Sequence, residues 1–236
     1  MLVLALETAV ERASVVVAQD ARELVAWRED THQDLCRRLA PEVAQVIARA
    51  GCRFSDLDLV AVGLGPGHFT ALRVGLATAK AVALAQDLPL VGISSLAAMA
   101  WHIRDRVAGL VCPVLDARRG EVYAALYRIG ADSIDAEEGA FVAASKDVVE
   151  RLLSRGERVT LFGQVDPVAT GELAGGSGEL IDLRSEEAVF PDALAVAQLG
   201  RRRFAARGGD DAPALRPIYV RKSYAEERSD IDLGLR

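Results

Sequence analysis

The chain has 236 residues, 51% of them hydrophobic and 26% charged, with a formal net charge of −6. That is the balance of an ordinary globular protein, long enough to bury a core without disulfide or metal staples. An acidic chain is a poor stand-alone binder of RNA or DNA, because such binding is driven mostly by neutralising phosphates.

The cluster Arg201, Arg202, Arg203 and Arg207 is the basic exception, and it reads as the solvated face of a helix. Cys36, Cys52 and Cys112 are odd in number, far apart and without a C-x-x-C pair. That fits a reducing cytosol and argues against a disulfide framework or a cysteine zinc site. The opening "MLVLALETA" lacks a basic n-region and is too short for a signal peptide. No segment approaches the ~18 uninterrupted apolar residues of a membrane helix. A soluble, cytoplasmic protein is expected.

In chain order, "LVLAL" (2–6) is a buried strand, and "RASVVVAQD" (12–20) and "RELVAWRE" (22–29) follow it as a meander. Leu35, Leu39, Val43, Val46 and Ile47 recur at helical spacing up to Gly51, a C-cap. Pro41 lies inside that pattern, so a kink or break is expected there. A strand at 58–65, a long helix at 69–86, a strand at 88–94 and a helix at 95–107 complete the first half. After Gly109 the pattern restarts. Strands at 110–116 and 121–129 flank the tight turn "ARRG", a third lies near 139–144, and helix 146–156, strand 158–163 and helix 191–208 follow. "ELAGGSGEL" (172–180) reads as a glycine-rich loop and the polar end 224–236 as a mobile tail. A three-strand meander feeding alternating helices and strands thus occurs twice. Two similar α/β lobes are expected, residues 1–108 and 109–223, each a mixed sheet with flanking helices.

Residues 63–75, "GLGPGHFTALRVG", have the composition of a phosphate loop. A Walker loop needs a lysine after its last glycine, and here Lys80 is three turns into the helix. A dinucleotide loop needs G-x-G-x-x-G, and here the spacing is G-x-G-x-G. The helix N-terminus at Phe69 could still attract an anion through its free amides, but the favoured reading is a tight strand-to-helix turn. The helix behind it says more. Ala71, Gly75, Ala79 and Ala83 form one smooth i, i+4 ridge, with Phe69, Leu72 and Leu76 beside it. Such a helix must be covered on more than one side: by its own sheet, and by either a neighbouring helix or another chain.

Glu7 and Thr8, in the first hairpin "ETAVERA", could hold a carboxylate near a metal and phosphates. Asp116, in "DARRGEVY", occupies the equivalent hairpin of the second half, where turn chemistry is also a sufficient reason for it. His32, His68 and His102 lack metal-ligand spacing, and no G-x-S-x-G elbow occurs. No catalytic or metal-ligating residue is assigned.

"LALETAVERASVVV", "GLGPGHFTALRVGLATAKAVAL", "PLVGISSLAAMA", "PVLDARRGEVYAALY" and "RPIYVRKS" resemble the bacterial TsaB (YeaZ) family in order and spacing. The resemblance runs from Met1 to about Ser223 and is weakest from about 130 to 210. It implies the two-lobed actin/sugar-kinase/Hsp70-type ATPase (ASKHA) fold, built of two RNase H-like lobes. It implies a non-catalytic paralogue of TsaD, the subunit that transfers threonylcarbamoyl to N6 of the adenosine following the anticodon of tRNA. TsaD, the P-loop ATPase TsaE and a second copy of the chain are the implied partners, with tRNA reached only through the complex. In the family the helices of the first lobe pair, which places the partner interface on Leu35, Leu39, Phe69, Ala71, Leu72, Arg73, Gly75, Leu76, Ala79 and Ala83. On this reading a leucine at Gly75 or Ala79 abolishes pairing and leaves the fold intact. No cofactor of its own is implied, although the interface with TsaD admits ATP or ADP.

The chain departs from the family at Glu7, where Asp is usual, at His68, where Ser is usual, and at Ala71, where Gly is usual. These changes speak against a bound nucleotide and keep the ridge small. The competing readings are an active ATPase or sugar kinase of the same fold, which needs a competent carboxylate, and a metallopeptidase, which needs zinc.

Overall fold

The computed structural model describes residues 1–30, 34–164, 180–184 and 189–221. The readings placed on His32, on residues 172–179 of the glycine-rich stretch and on the tail 224–236 lie outside the described residues.

Strands β1 (Leu2–Glu7), β2 (Arg12–Gln19) and β3 (Arg22–Asp30) form the expected antiparallel meander. On its other edge β1 pairs in parallel with β4 (Leu59–Gly63), and β4 with β5 (Leu90–Ile93). The sheet order is β3-β2-β1-β4-β5. The second sheet repeats it with β6 (Gly109–Arg118), β7 (Glu121–Ile129), β8 (Ile134–Ala144), β9 (Val159–Gly163) and β10 (Ile181–Arg184), in the order β10-β9-β6-β7-β8. The duplication expected from the sequence therefore extends to strand order and direction. β10 is the strand the sequence did not announce. It has four residues, "IDLR", sits at a sheet edge, and its Asp and Arg break any apolar run.

Among the described residues, the helices α1 (Leu35–Arg49), α2 (Phe69–Gln86), α3 (Ser95–Ile103), α4 (Ser145–Leu153) and α5 (Ala193–Arg207) cover the sheets. α1 ends as expected, with Gly51 at φ +69° just past its cap. It runs unbroken through Pro41, against expectation. Pro41 and Arg37 are both exposed, so the carbonyl deprived of its N–H partner faces water.

Burial arranges these elements in layers. α1 and α2 pack on Leu4, Leu6, Val15, Val17, Val60 and Val62 on one face of the first sheet. The opposite face, with Val3, Ala5, Val16, Leu59 and Ala61, is covered by α3 and α5. α3 lies between the two sheets and is buried nearly all round. Its Ala98 and Trp101 face the first sheet, while Leu96, Met99, Ala100 and Ile103 face Val111, Leu115, Ala125 and Phe162 of the second. α4 covers the far face of the second sheet through Val148 and Leu152.

α5 corrects one part of the expected division at 108/109. Read as part of the second lobe, it instead lies on the first sheet. Its small residues allow this: Gly200 comes so close to Ala61 that a Cβ at position 200 would sit 2.7 Å from the Ala61 Cβ. Periodicity reveals a helix but not which sheet it covers. Beyond α5 the chain runs back over the first lobe. The Asp210 carboxylate accepts the Gly92 N–H at 2.8 Å, and the Ile218 N–H donates to the Leu64 carbonyl at 2.8 Å. Arg221 then reaches the Ala117 carbonyl of the second lobe at 3.2 Å.

Candidate functional site

Glu7 ends β1 with its side chain fully buried. Its Oε1 accepts the Ala9 N–H at 2.7 Å and its Oε2 accepts the Ser95 hydroxyl at 2.7 Å. Ser95 in turn accepts the Gly65 N–H at 3.1 Å. The carboxyl lies flat on Gly63, where a Cβ would sit 2.1 Å from Oε2. Burial pushes its pKa up from the ordinary 4.5 to about 7, against the lowering effect of the hydrogen bonds from Ala9 and Ser95. Glu7 therefore ties β1 to the start of α3 and to the loop after β4. It does not line the cleft.

Thr8 is spent in the same way. Its hydroxyl donates to the Ala71 carbonyl at 2.9 Å, and Gly75 packs on it so closely that a Cβ there would lie 2.2 Å from Oγ1. Asp116 is exposed, and its Oδ1 accepts the Arg118 N–H at 2.7 Å. The three weak cofactor candidates are thus not brought to one ligand cavity. The cleft at Asp116, which Glu11, His68, Arg118 and Gln164 also line, has a volume of about 50 Å³ and is bridged by Arg118–Glu11 at 2.8 Å. Ligand pockets of drug size occupy ~300–1,000 Å³, so the cleft that the described residues enclose is smaller than such a pocket.

The loop 63–68 is the tight turn expected. Gly65 has φ +87°, and the Gly65–Pro66 peptide is cis. Three of its amides are already engaged: Leu64 N–H with the Ile93 carbonyl, Gly65 N–H with Ser95, and His68 N–H with the Ala9 carbonyl at 2.7 Å. Those three do not also cradle a phosphate. Among the described residues no group of three or more His, Cys, Asp or Glu could hold a metal ion. No helix among them is long and apolar enough to cross a membrane.

The ridge on α2 faces the opposite way from the expectation. Gly75, Leu76, Ala79 and Ala83 are buried against the chain's own first lobe, as are Leu35 and Leu39, while Leu72 is buried in the core between the lobes. None of these presents a side chain to a partner. Of the ten interface candidates only Phe69 and Arg73 are exposed, with Ala71 half-buried. Phe69 and Arg73 form a cluster with Tyr219: the guanidinium lies 3.8 Å from the Phe69 centroid, and its Nε donates to the Tyr219 hydroxyl at 3.0 Å.

The exposed side of α2 carries a second small-residue row, Ala77, Ala81 and Ala85. With Ala40 and Val43 of α1, Phe54, Thr78 and Val82 it lines an open apolar groove of about 550 Å³. Leu84 stands nearby, 87% exposed. A signal for this row was present in the sequence, since its three alanines are also four apart.

The repeated sheet order, with helices between and outside the lobes, defines the two-lobed actin/sugar-kinase/Hsp70-type class. A solved hexokinase of the ROK type from Thermus thermophilus shares the fold at TM-score 0.52 and 13% identity, over 87% of this chain and 100% of its own. Residues 29–170 match the family model described as TsaD, tRNA N6-adenosine threonylcarbamoyltransferase. The tRNA threonylcarbamoyladenosine biosynthesis protein TsaB of Escherichia coli is 32% identical over 95% of this chain and 96% of its own length. Its counterpart in Haemophilus influenzae is 28% identical over 92% of each. The solved structure of YeaZ from Pseudomonas aeruginosa superimposes with TM-score 0.77 at 25% identity, over 92% of this chain and 99% of that one. The chain belongs to the TsaB (YeaZ) family.

Proposed function

We propose that the chain is a non-catalytic subunit of the machinery that makes threonylcarbamoyladenosine in tRNA, and that it works by docking on the catalytic TsaD subunit. The observation that carries this reading is the apolar groove between α1 and α2, with Leu84 standing 87% exposed beside it. An apolar surface of this kind marks an interaction site. Small side chains at Ala77, Ala81 and Ala85 let a partner helix approach closely. A second copy of the chain would use the same groove, so self-pairing and TsaD binding compete. TsaE is the further partner, and ATP or ADP, if bound, lodges at the interface with TsaD. The reading as an ATPase or sugar kinase finds no support, because Glu7 is buried away from a cleft of only about 50 Å³.

The test is Ala81→Arg. A charged side chain in the groove should abolish co-purification with the organism's TsaD and stop threonylcarbamoyl transfer in the reconstituted reaction. The melting temperature should be unchanged, because Ala81 is exposed. Undiminished co-purification would sink the interface, and transfer that proceeds equally well without this chain would sink the role.

A further inference from the structure

Three of the four large hydrophobic side chains left exposed among the described residues, Phe69, Leu84 and Tyr219, border one stripe of α2. Along that stripe Phe69, Arg73, Ala77, Ala81 and Leu84 are all exposed, over about 22 Å at ~1.5 Å per residue. Its far end runs along the groove between α1 and α2. Its near end is the cluster of Phe69, Arg73 and Tyr219. Between Phe69 and Gln86 only Arg73 and Lys80 carry charge. Lys80 is half-buried, and its Nζ donates to the Leu215 carbonyl at 2.8 Å. Arg73 is therefore the single charge on the exposed stripe.

That charge is firmly held. The guanidinium lies 3.8 Å from the Phe69 ring centroid and 5.9 Å from that of Tyr219, and its Nε donates to the Tyr219 hydroxyl at 3.0 Å. The two rings stand 5.2 Å apart and support each other. Tyr219 is fixed in turn by its neighbour, because the Ile218 N–H donates to the Leu64 carbonyl at 2.8 Å. Among the described residues the two terminal nitrogens of Arg73 have no hydrogen-bond or ion-pair partner. The side chain thus presents a planar fork of donors with its rotamers already restricted, so little freedom is lost when an acceptor binds. The Phe69 ring also keeps water from one face of the cation, which strengthens its attraction to an anion.

A fork of this kind fits a carboxylate or a phosphate. The stripe favours the first. RNA binding is driven by neutralising several phosphates, and beyond Arg73 the stripe offers two alanines and a leucine. A helix with small or apolar side chains along its middle and an Asp or Glu at one end matches the whole stripe. α2 supplies no such acid between 69 and 86, and Asp87 lies just past its end.

We propose that Arg73, clamped by Phe69 and Tyr219, anchors a carboxylate of the docking partner, so that one ion pair sets the register of the partner's helix on the groove. This rests on the TsaD-docking reading above. The experiment measures the affinity of the chain for TsaD across a salt series, and the self-association of the chain by sedimentation. Wild-type affinity should fall as salt rises. Arg73→Gln should weaken binding about tenfold at low salt and leave little salt dependence. Arg73→Glu should weaken it further and reverse the salt dependence. Lys146→Gln, on α4 beyond the second sheet, should change neither. Unchanged affinity in the Arg73 variants removes the anchor. A loss that is equal at every salt concentration would mean that Arg73 acts only by holding Tyr219, and overturns the carboxylate. Self-association weakened by both Arg73→Gln and Asp87→Asn, with TsaD affinity intact, would assign the surface to a second copy of the chain. Labelled-tRNA binding lost in the Arg73 variants, again with TsaD affinity intact, would assign it to RNA. Either result overturns the proposal. If the wild-type chain does not bind TsaD, the function reading falls and the anchor with it. If it binds and the Arg73 variants bind equally well, the anchor falls alone.

Discussion

A buried carboxyl makes the stability of this fold depend on pH in a particular sense. Glu7 has a folded pKa of about 7 against an ordinary 4.5. The folded state holds its proton more tightly than the unfolded chain does. The favourable contribution is therefore complete below about pH 4.5 and is lost as pH rises through 7. The loss is on the order of 3 kcal/mol. Glu7→Gln removes this dependence, because a glutamine amide can donate to Ser95 while its oxygen accepts from Ala9. Urea denaturation between pH 5 and 8 should show the wild type weakening relative to the variant; parallel curves would refute the assignment. Glu7 also shows where sequence reading stops. A carboxylate at the end of β1 reads equally well as pointing into a cleft or into the core. What decides it is Ser95, 88 residues away, and the bare Cα of Gly63.

At the scale of elements, α2 separates what the sequence reveals from what it hides. Its limits, 69 and 86, follow from a glycine turn before it and from a run of helix formers. Its orientation does not follow, because a helix that is apolar all round and carries two alanine rows can turn either row inward. The contact of Gly75 with Thr8 selects the row at 71, 75, 79 and 83. The leucine replacement expected to spare the fold at Gly75 therefore cannot do so. Even Gly75→Ala should cost about 1–3 kcal/mol by overpacking. Adding Thr8→Ala, which deletes the obstructing hydroxyl, should recover part of that loss. Thermal melts of the two single variants and the double test this coupling, and strict additivity would disprove the contact. The groove on the outer row explains why helix 69–86 looked under-covered, and it moves the docking test from Gly75 to Ala81.

For the whole molecule, the duplication was legible because two meanders with the same sequel can be aligned by eye. The closure of the layers was not. α5 is separated by more than 80 residues from the half whose sheet it covers, and a helix of small residues carries no address. A chain ending at residue 108 would keep the first sheet, α1, α2 and α3 but lose the Ala193, Val196 and Ala197 packing on Val3, Ala5, Leu59 and Ala61. Such a fragment should lack a cooperative thermal transition, and a sharp one would show that the first lobe stands alone.

The return of α5 also orders events in time. As the chain leaves the ribosome, the strands of the first sheet precede α5, and one face of that sheet is covered only in part, by α3, until residues near 207 are made. Nascent domains that complete their cores early are released from the risk of sticking; this one waits until α5 is made. Its folding is committed only then, and a chain stalled before α5 leaves part of an apolar sheet face open for chaperones or proteases to find.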